Sequence, residues 1–297
     1  MSIKSKIAAL EKVKIHYQYM GEGAPIIFLH GFPEFSYEWR KQLEHFSKTH
    51  LAIAPDLRGY NLSSKPEGVD QYAVAALAQD VKDLCDHLHL KKIVLVGHDW
   101  GGIVAWAFAY LYPEYLDKLV ILNAPYPAIY NHQIKANPTQ QKAAEYILLL
   151  RRATAAKILS RNNFEWLSGW VLNKGLVQGT LTEADKQAYV NAWSQPGALE
   201  AMLNYYRALN LDMNEDKTPD WSRFALAPEV KMFTQKIQVP TLVIWGEQDE
   251  ALVSENLAGL DQFVENLQIQ RLPECGHFLV HEHPNQINQL IDAFLVE

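Results

Sequence analysis

Three residues far apart in this 297-residue chain have the types and the order needed for nucleophilic displacement: Asp99, Asp249 and His277. A carboxylate is already ionised at neutral pH, so it attacks a saturated carbon without first losing a proton and leaves an alkyl ester on the chain. A histidine then draws a proton from water to hydrolyse that ester, while a second carboxylate orients the imidazole and stabilises its charged form. Asp99 lies in Gly97-His98-Asp99-Trp100-Gly101-Gly102, which has the form of the nucleophile elbow G-x-S-x-G with aspartate in the serine's place. Glycines flank such a turn because side chains there would strike the strand before it or the helix after it. Each residue also has a plainer reading. Asp99 suits a helix N-cap, Asp249 a turn, and a lone histidine is usually structural or exposed. Their joint occurrence in the order nucleophile, acid, histidine, with Gly246 and Gly276 nearby, favours catalysis.

The elements around these residues follow from periodicity. Residues 12–20 alternate and read as an antiparallel strand with one wet face. Apolar runs at 25–29, 50–54, 93–96, 118–122 and 240–245 read as strands of a largely parallel sheet, and 267–272 as the last strand. Between them, 36–47 carries Trp39, Leu43 and Phe46 on one helical face, and 72–89 carries Leu77, Val81, Leu84 and Leu88. A helix from Pro284 to Val296 closes the chain. The alternation implies a mostly parallel sheet with helices on both faces. It breaks between 126 and about 225, which is aromatic-rich, holds no convincing strand, and reads as a helical lid over the carboxyl ends of the strands, with Thr218-Pro219-Asp220 as its exit hinge. The expected division is 1–125 and 226–297 as the α/β core and 126–225 as the inserted cap.

Composition narrows the function. The net charge of -7 argues against nucleic acid as a partner. No apolar run reaches membrane-spanning length, and no apolar leader follows Met1, so a cytoplasmic protein is expected. The histidines show no metal-ligand spacing, and no metal is expected. Cys85 and Cys275 form no C-x-x-C, which suits a reducing compartment, with Cys85 as helix packing. A second copy of the chain, forming a homodimer, stays open as a partner.

The hydrolytic step needs two amides to hold an oxyanion. One is that of the residue after the nucleophile, Trp100. The other comes from the loop His30-Gly31-Phe32-Pro33-Glu34, where Phe32 is the candidate and His30, Gly31 and Pro33 support it. Asp56 and Arg58, in the next strand-exit loop, read as a structural ion pair. The leaving group decides the substrate. An opened epoxide is an alkoxide that needs a proton donor, whereas a departing halide needs only weak donors. Phenols in the lid suit the first case, although tyrosine in an apolar lid is more often packing.

The chain resembles the α/β-hydrolase-fold epoxide hydrolases over nearly its whole length. The matching pieces are His30-Gly31-Phe32-Pro33-Glu34, Asp56-Leu57-Arg58-Gly59-Tyr60, the elbow at 97–102, Asn204-Tyr205-Tyr206-Arg207, Trp245-Gly246-Glu247-Gln248-Asp249 and Gly276-His277. The resemblance implies a hydrolase without cofactor that takes a small hydrophobic epoxide and water to a vicinal diol. It implies that Tyr206 donates to the epoxide oxygen and that Tyr146 assists. Two positions depart from the family pattern. Arg151 stands where the second-tyrosine segment usually ends in Gln, and Asn61 where glycine is usual. Dehalogenases on the same scaffold are the rivals. Fluoroacetate dehalogenases clamp a carboxylate with arginines where this chain has Trp100 and Ile103. Haloalkane dehalogenases usually have Asn where it has Phe32. A binding protein without turnover is the third alternative, and has no need of a histidine opposite Asp99.

Overall fold

The computed structural model describes residues 2–230 and 235–296. Ten strands occur among them: β1 (Lys4–Ala9), β2 (Lys14–Met20), β3 (Ala24–Leu29), β4 (His50–Pro55), β5 (Ile93–His98), β6 (Leu116–Leu122), β7 (Asn210–Met213), β8 (Pro219–Ala225), β9 (Thr241–Gly246) and β10 (Leu267–Leu272). Eight of them form one sheet in the order β1-β2-β4-β3-β5-β6-β9-β10. β2 runs antiparallel to β1 and β4, and every other pairing is parallel. The apolar runs in β3, β5 and β6 send alternate side chains into two cores, as strands buried on both faces must. Ile27, Leu29 and Leu95 pack on one face beneath α2 (Val74–His87) and α3 (Trp100–Leu111). Ile26, Phe28 and Val96 pack on the other, against α1 (Arg40–Phe46) and the closing helix at Pro284–Val296. A mostly parallel sheet between helices is the expected architecture.

After β6 come α4 (Pro127–Ala136), α5 (Pro138–Ala143), α6 (Tyr146–Leu150), α7 (Ala155–Leu159), α8 (Arg161–Val171), α9 (Asn173–Gln178), α10 (Glu183–Trp193) and α11 (Ala198–Arg207). Positive φ at Asn162, Asn163 and Phe164 breaks the first turn of α8. α12 (Leu279–Glu282) and α13 (Pro284–Val296) complete the chain. Among the described residues no helix is long and apolar enough to cross a membrane.

Two expectations are corrected here. The segment 126–225 is not free of strands, because β7 and β8 form an antiparallel hairpin. Pro219 and Asp220 open β8 opposite Met213 and Asp212 rather than forming an exit hinge. The hairpin is short and only two of its strand residues are buried, so it lacks the alternation that betrays a half-buried strand. β1 likewise was not expected: five of its six residues are exposed, so it carries little apolar signal.

Asp56 and Arg58 are structural, but they do not pair with each other. Asp56 binds His16 Nδ1 at 2.7 Å, the Ser36 amide at 2.9 Å and the Asn61 amide group at 2.8 Å. Asn61 stands at φ 38°, where its short polar side chain is tolerated. Arg58 forks onto Asp80 of α2 through Nε at 2.7 Å and Nη2 at 2.6 Å, both side chains being buried. Asp80→Asn leaves that guanidinium buried without its counter-charge, and should cost about 3–5 kcal/mol of stability in urea unfolding. A loss under about 1 kcal/mol would mean the pair behaves like an exposed one.

The helices after β6 are fastened to the sheet by buried polar contacts. Trp193 Nε1 donates to the Pro33 carbonyl at 2.6 Å and Tyr205 Oη to the Arg58 carbonyl at 2.7 Å. The Tyr189 hydroxyl donates to Glu34, which also meets His281 at 2.9 Å.

Candidate active site

Asp99 is the single residue between β5 and α3, at φ 50° and ψ -122°. A non-glycine residue at positive φ is strained and persists only when its surroundings over-determine it. Here the packing does so. A Cβ on Gly101 would lie 2.2 Å from the Leu29 carbonyl oxygen, so α3 sits hard against β3. A Cβ on Gly31 would lie 2.3 Å from Asp99 Oδ1, so only glycine lets that loop approach the carboxylate. This close approach lets the Phe32 amide donate to Asp99 Oδ1 at 2.7 Å. Trp100 provides the first residue of α3, whose N-terminus favours negative charge at Asp99. Pro33 uses its carbonyl to accept from Trp193. His30 accepts from the Leu57 amide through Nε2 and contacts the Gly31 carbonyl through Nδ1, tying the two strand-exit loops together. Burial holds its pKa down, so the ring is neutral.

His277 follows β10 and faces Asp99, with Nε2 3.6 Å from Oδ2. Its Nδ1 lies 2.7 Å from Asp249 Oδ2. Asp249 is fixed in turn: Oδ1 accepts from the Ala251 and Leu252 amides, and Oδ2 accepts from Asn123 Nδ2 at 2.5 Å. Asn123 also receives the Gly246 amide at 2.7 Å, which locks the end of β6 to the end of β9. His98 lies beneath, with Nε2 donating to the His277 carbonyl at 2.8 Å and Nδ1 2.6 Å from Glu38. The three residues far apart in sequence therefore meet. Asn123, His98 and Glu38 carry no spacing that marks them as their supports, beyond His98's place inside the elbow.

Charge follows this geometry. Burial raises the Asp99 pKa, but the neighbouring His277, His98 and the Phe32 amide outweigh it, and the carboxyl ionises below its ordinary range. Burial lowers the His277 pKa, yet Asp249 and then Asp99 outweigh it and hold the imidazole well above 6.5.

Above Asp99 is a small, mostly apolar cavity, walled by Trp100, Ile103, Ile147, Leu209, Phe224 and Leu252 among others. Tyr146 at the start of α6 and Tyr206 in the last turn of α11 both line it. Their ring centroids are 6.0 Å apart at 80°. Burial raises both phenols well above 10, with the nearby tyrosine hydroxyls and Asp99 adding to the effect, so both keep their protons at neutral pH. Tyr130 of α4 adds a third phenol to the wall. Nothing in its sequence context distinguishes it from the other aromatic residues of that stretch.

The alpha/beta hydrolase fold family matches residues 24–284. Epoxide hydrolase 4 of Mus musculus is 34% identical over 293 residues, covering 96% of this chain and 77% of the relative. Epoxide hydrolase 2 of Caenorhabditis elegans is 31% identical over 302 residues, covering 98% and 80%. Among solved structures, an epoxide hydrolase of Bacillus megaterium in complex with an inhibitor superposes with a TM-score of 0.90 at 37% identity, covering 98% of this chain and all of that one. Fold, residue order and extent of similarity agree, and the chain belongs to the α/β-hydrolase-fold epoxide hydrolase family.

Proposed function

We propose that the chain opens a small hydrophobic epoxide to a vicinal diol through an ester on Asp99. One observation carries this reading: the Asp99 carboxylate and the Tyr146 and Tyr206 phenols border one apolar cavity. Asp99 Oδ1 is occupied by the Phe32 amide, which leaves Oδ2 as the attacking atom. Oδ2 bonds to an epoxide carbon as the carbon–oxygen bond of the ring breaks, and a phenol protonates the ring oxygen. Water, losing a proton to His277, then adds to the Asp99 carboxyl carbon. The Phe32 and Trp100 amides stabilise the resulting oxyanion on Oδ1. The bond from that carbon to Oδ2 breaks as His277 returns its proton to Oδ2, the diol departs carrying Oδ2, and the proton of the new Asp99 carboxyl restores the phenol by way of solvent.

The domain division accompanies this proposal, with residues 126–225 as the cap that brings both phenols over a core made of 1–125 and 226–297. A cytoplasmic setting is part of the same reading, supported by two buried cysteines that are unpaired. The phenols also separate this reading from a dehalogenase, since halide departure needs no proton.

Heavy-oxygen water tests the route. With styrene oxide in excess, label should enter the diol; after a single turnover it should be found in Asp99 and not in the product. Label in the product of the first turnover would mean direct attack by water and no ester. The phenols are tested separately. Tyr206→Phe and Tyr146→Phe should each slow ester formation by about a hundredfold, read by quenched-flow mass spectrometry. Unchanged rates in both variants would remove the tyrosines from the chemistry.

A further inference from the structure

Tyr206 occupies an awkward place for a group that must be held still. It lies in the last turn of a ten-residue helix, where carbonyls lack intrahelical partners and the backbone frays. Tyr146, five residues before Arg151, opens a helix of only five residues. Neither element is long enough to hold its shape alone.

Arg151, the residue that ends α6, reaches across to the end of α11. Its Nη1 donates to the carbonyl of Tyr206 itself at 2.6 Å, to that of Arg207 at 3.2 Å and to that of Leu209 at 2.7 Å; its Nη2 donates to that of Leu211 at 3.2 Å. The guanidinium is thus a C-cap supplied by a neighbouring helix. It gathers the last carbonyls of α11, that of Tyr206 being shared with the Leu209 amide, and one of the strand that follows, and places a positive charge at the helix's negative end. A planar fork with several fixed donors suits this task better than an ammonium or a single amide. The reach also joins the two phenol-bearing elements through one side chain. Arg207, held by Glu200 of its own helix, reaches back to the Arg152 carbonyl at 3.4 Å and reinforces the same junction.

We infer that Arg151 is a positioning residue for the proton-donor pair, setting the place of Tyr206 relative to Tyr146 over Asp99. The inference rests on the proposed epoxide reading. It concerns ester formation alone, because the phenols have no part in the attack of water on the ester.

Arg151→Met keeps an unbranched apolar stem and removes every donor, while Arg151→Lys keeps the charge and loses the fork. With styrene oxide, rapid quenching and intact-protein mass spectrometry give separate rates for ester formation and ester hydrolysis. Arg151→Met should form the ester about a hundredfold more slowly, as expected for a reacting group displaced by about an ångström, while hydrolysis stays within about twofold. Arg151→Lys should recover most of that loss. If Arg151→Met does not fold, Arg151→Lys against the unmodified chain carries the test, with a loss of about threefold or more confined to ester formation. Ester formation at the unmodified rate in the variants would overturn the inference, as would equal slowing of both steps. An unmodified chain that never forms the Asp99 ester would instead overturn the functional reading.

Discussion

Asp99→Ala should form no alkyl-enzyme with any epoxide and should lose turnover by about 10⁴-fold or more. The size of the effect follows from the proposed role: the carboxylate would make the covalent bond, which neither His277 nor Asp249 is placed to do in its stead. His277 and Asp249 remain in the variant, yet a base acting on water toward a bound epoxide lacks the ester carbonyl that the Phe32 amide is placed to activate. Diol formation from styrene oxide measures the rate, and thermal unfolding monitored alongside separates lost chemistry from lost fold. Asp99→Asn is the weaker control, because slow deamidation regenerates the carboxylate. A variant retaining about a tenth of the activity would exclude the covalent route.

The second large effect separates the two chemical steps. His277→Gln should leave ester formation largely intact and block hydrolysis, so that one equivalent of epoxide accumulates on Asp99 and adds its mass to the protein. Turnover without such an adduct would remove His277 from the mechanism. The same residue governs the pH profile. Desolvation presses its pKa down, but the Asp249 and Asp99 carboxylates hold it well above 6.5, so the resting imidazole is protonated at neutral pH. Alkylation turns Asp99 into a neutral ester and removes one of those two carboxylates. The imidazole pKa should then fall toward what Asp249 alone supports, which favours the neutral base once there is an ester to hydrolyse. Since the deprotonated form is the active one, hydrolysis should quicken as pH rises through the pKa of the ester state. That pKa lies below the value for the free protein. Single-turnover hydrolysis against pH, set beside an NMR titration of His277 in the free protein, measures both. A hydrolysis rate that is flat through the histidine range would count against this account.

How far the site was legible depended on where each residue sits relative to a strand end. Asp99 follows an apolar run directly and the elbow glycines are demanded by sterics, while Asp249 and His277 lie in short loops past strand ends, each with a glycine before it, so local pattern and chain order were enough to single them out. Phe32 was legible for the same reason. Tyr206 and Tyr146 were named by resemblance rather than by periodicity, because a helical stretch rich in aromatics does not announce which rings point inward. Asp56 and Arg58 show the limit of adjacency: two residues apart, they look like partners, yet each finds a better one in His16 and Asp80, which only the fold brings near. The β7–β8 hairpin and β1 escaped because exposed pairings leave little hydrophobic trace. Arg151 stood out as a departure from the family's usual Gln. Its task could not be guessed, since its partners are main-chain oxygens some sixty positions away.

The contacts that fasten Trp193 to Pro33, Tyr205 to Arg58 and Tyr189 to Glu34 bear on molecular traffic. A roof riveted at three interior points does not lift as a plate. Tyr146 also borders a second hollow, lined by Trp166, Trp170, Glu250 and Ala251, so on the epoxide reading a guest would reach Asp99 by passing individual side chains rather than under a raised cover. On the proposed reading, the width of the cargo beside Tyr146, rather than the energetics of a swinging cover, would set how quickly a bulky diol escapes.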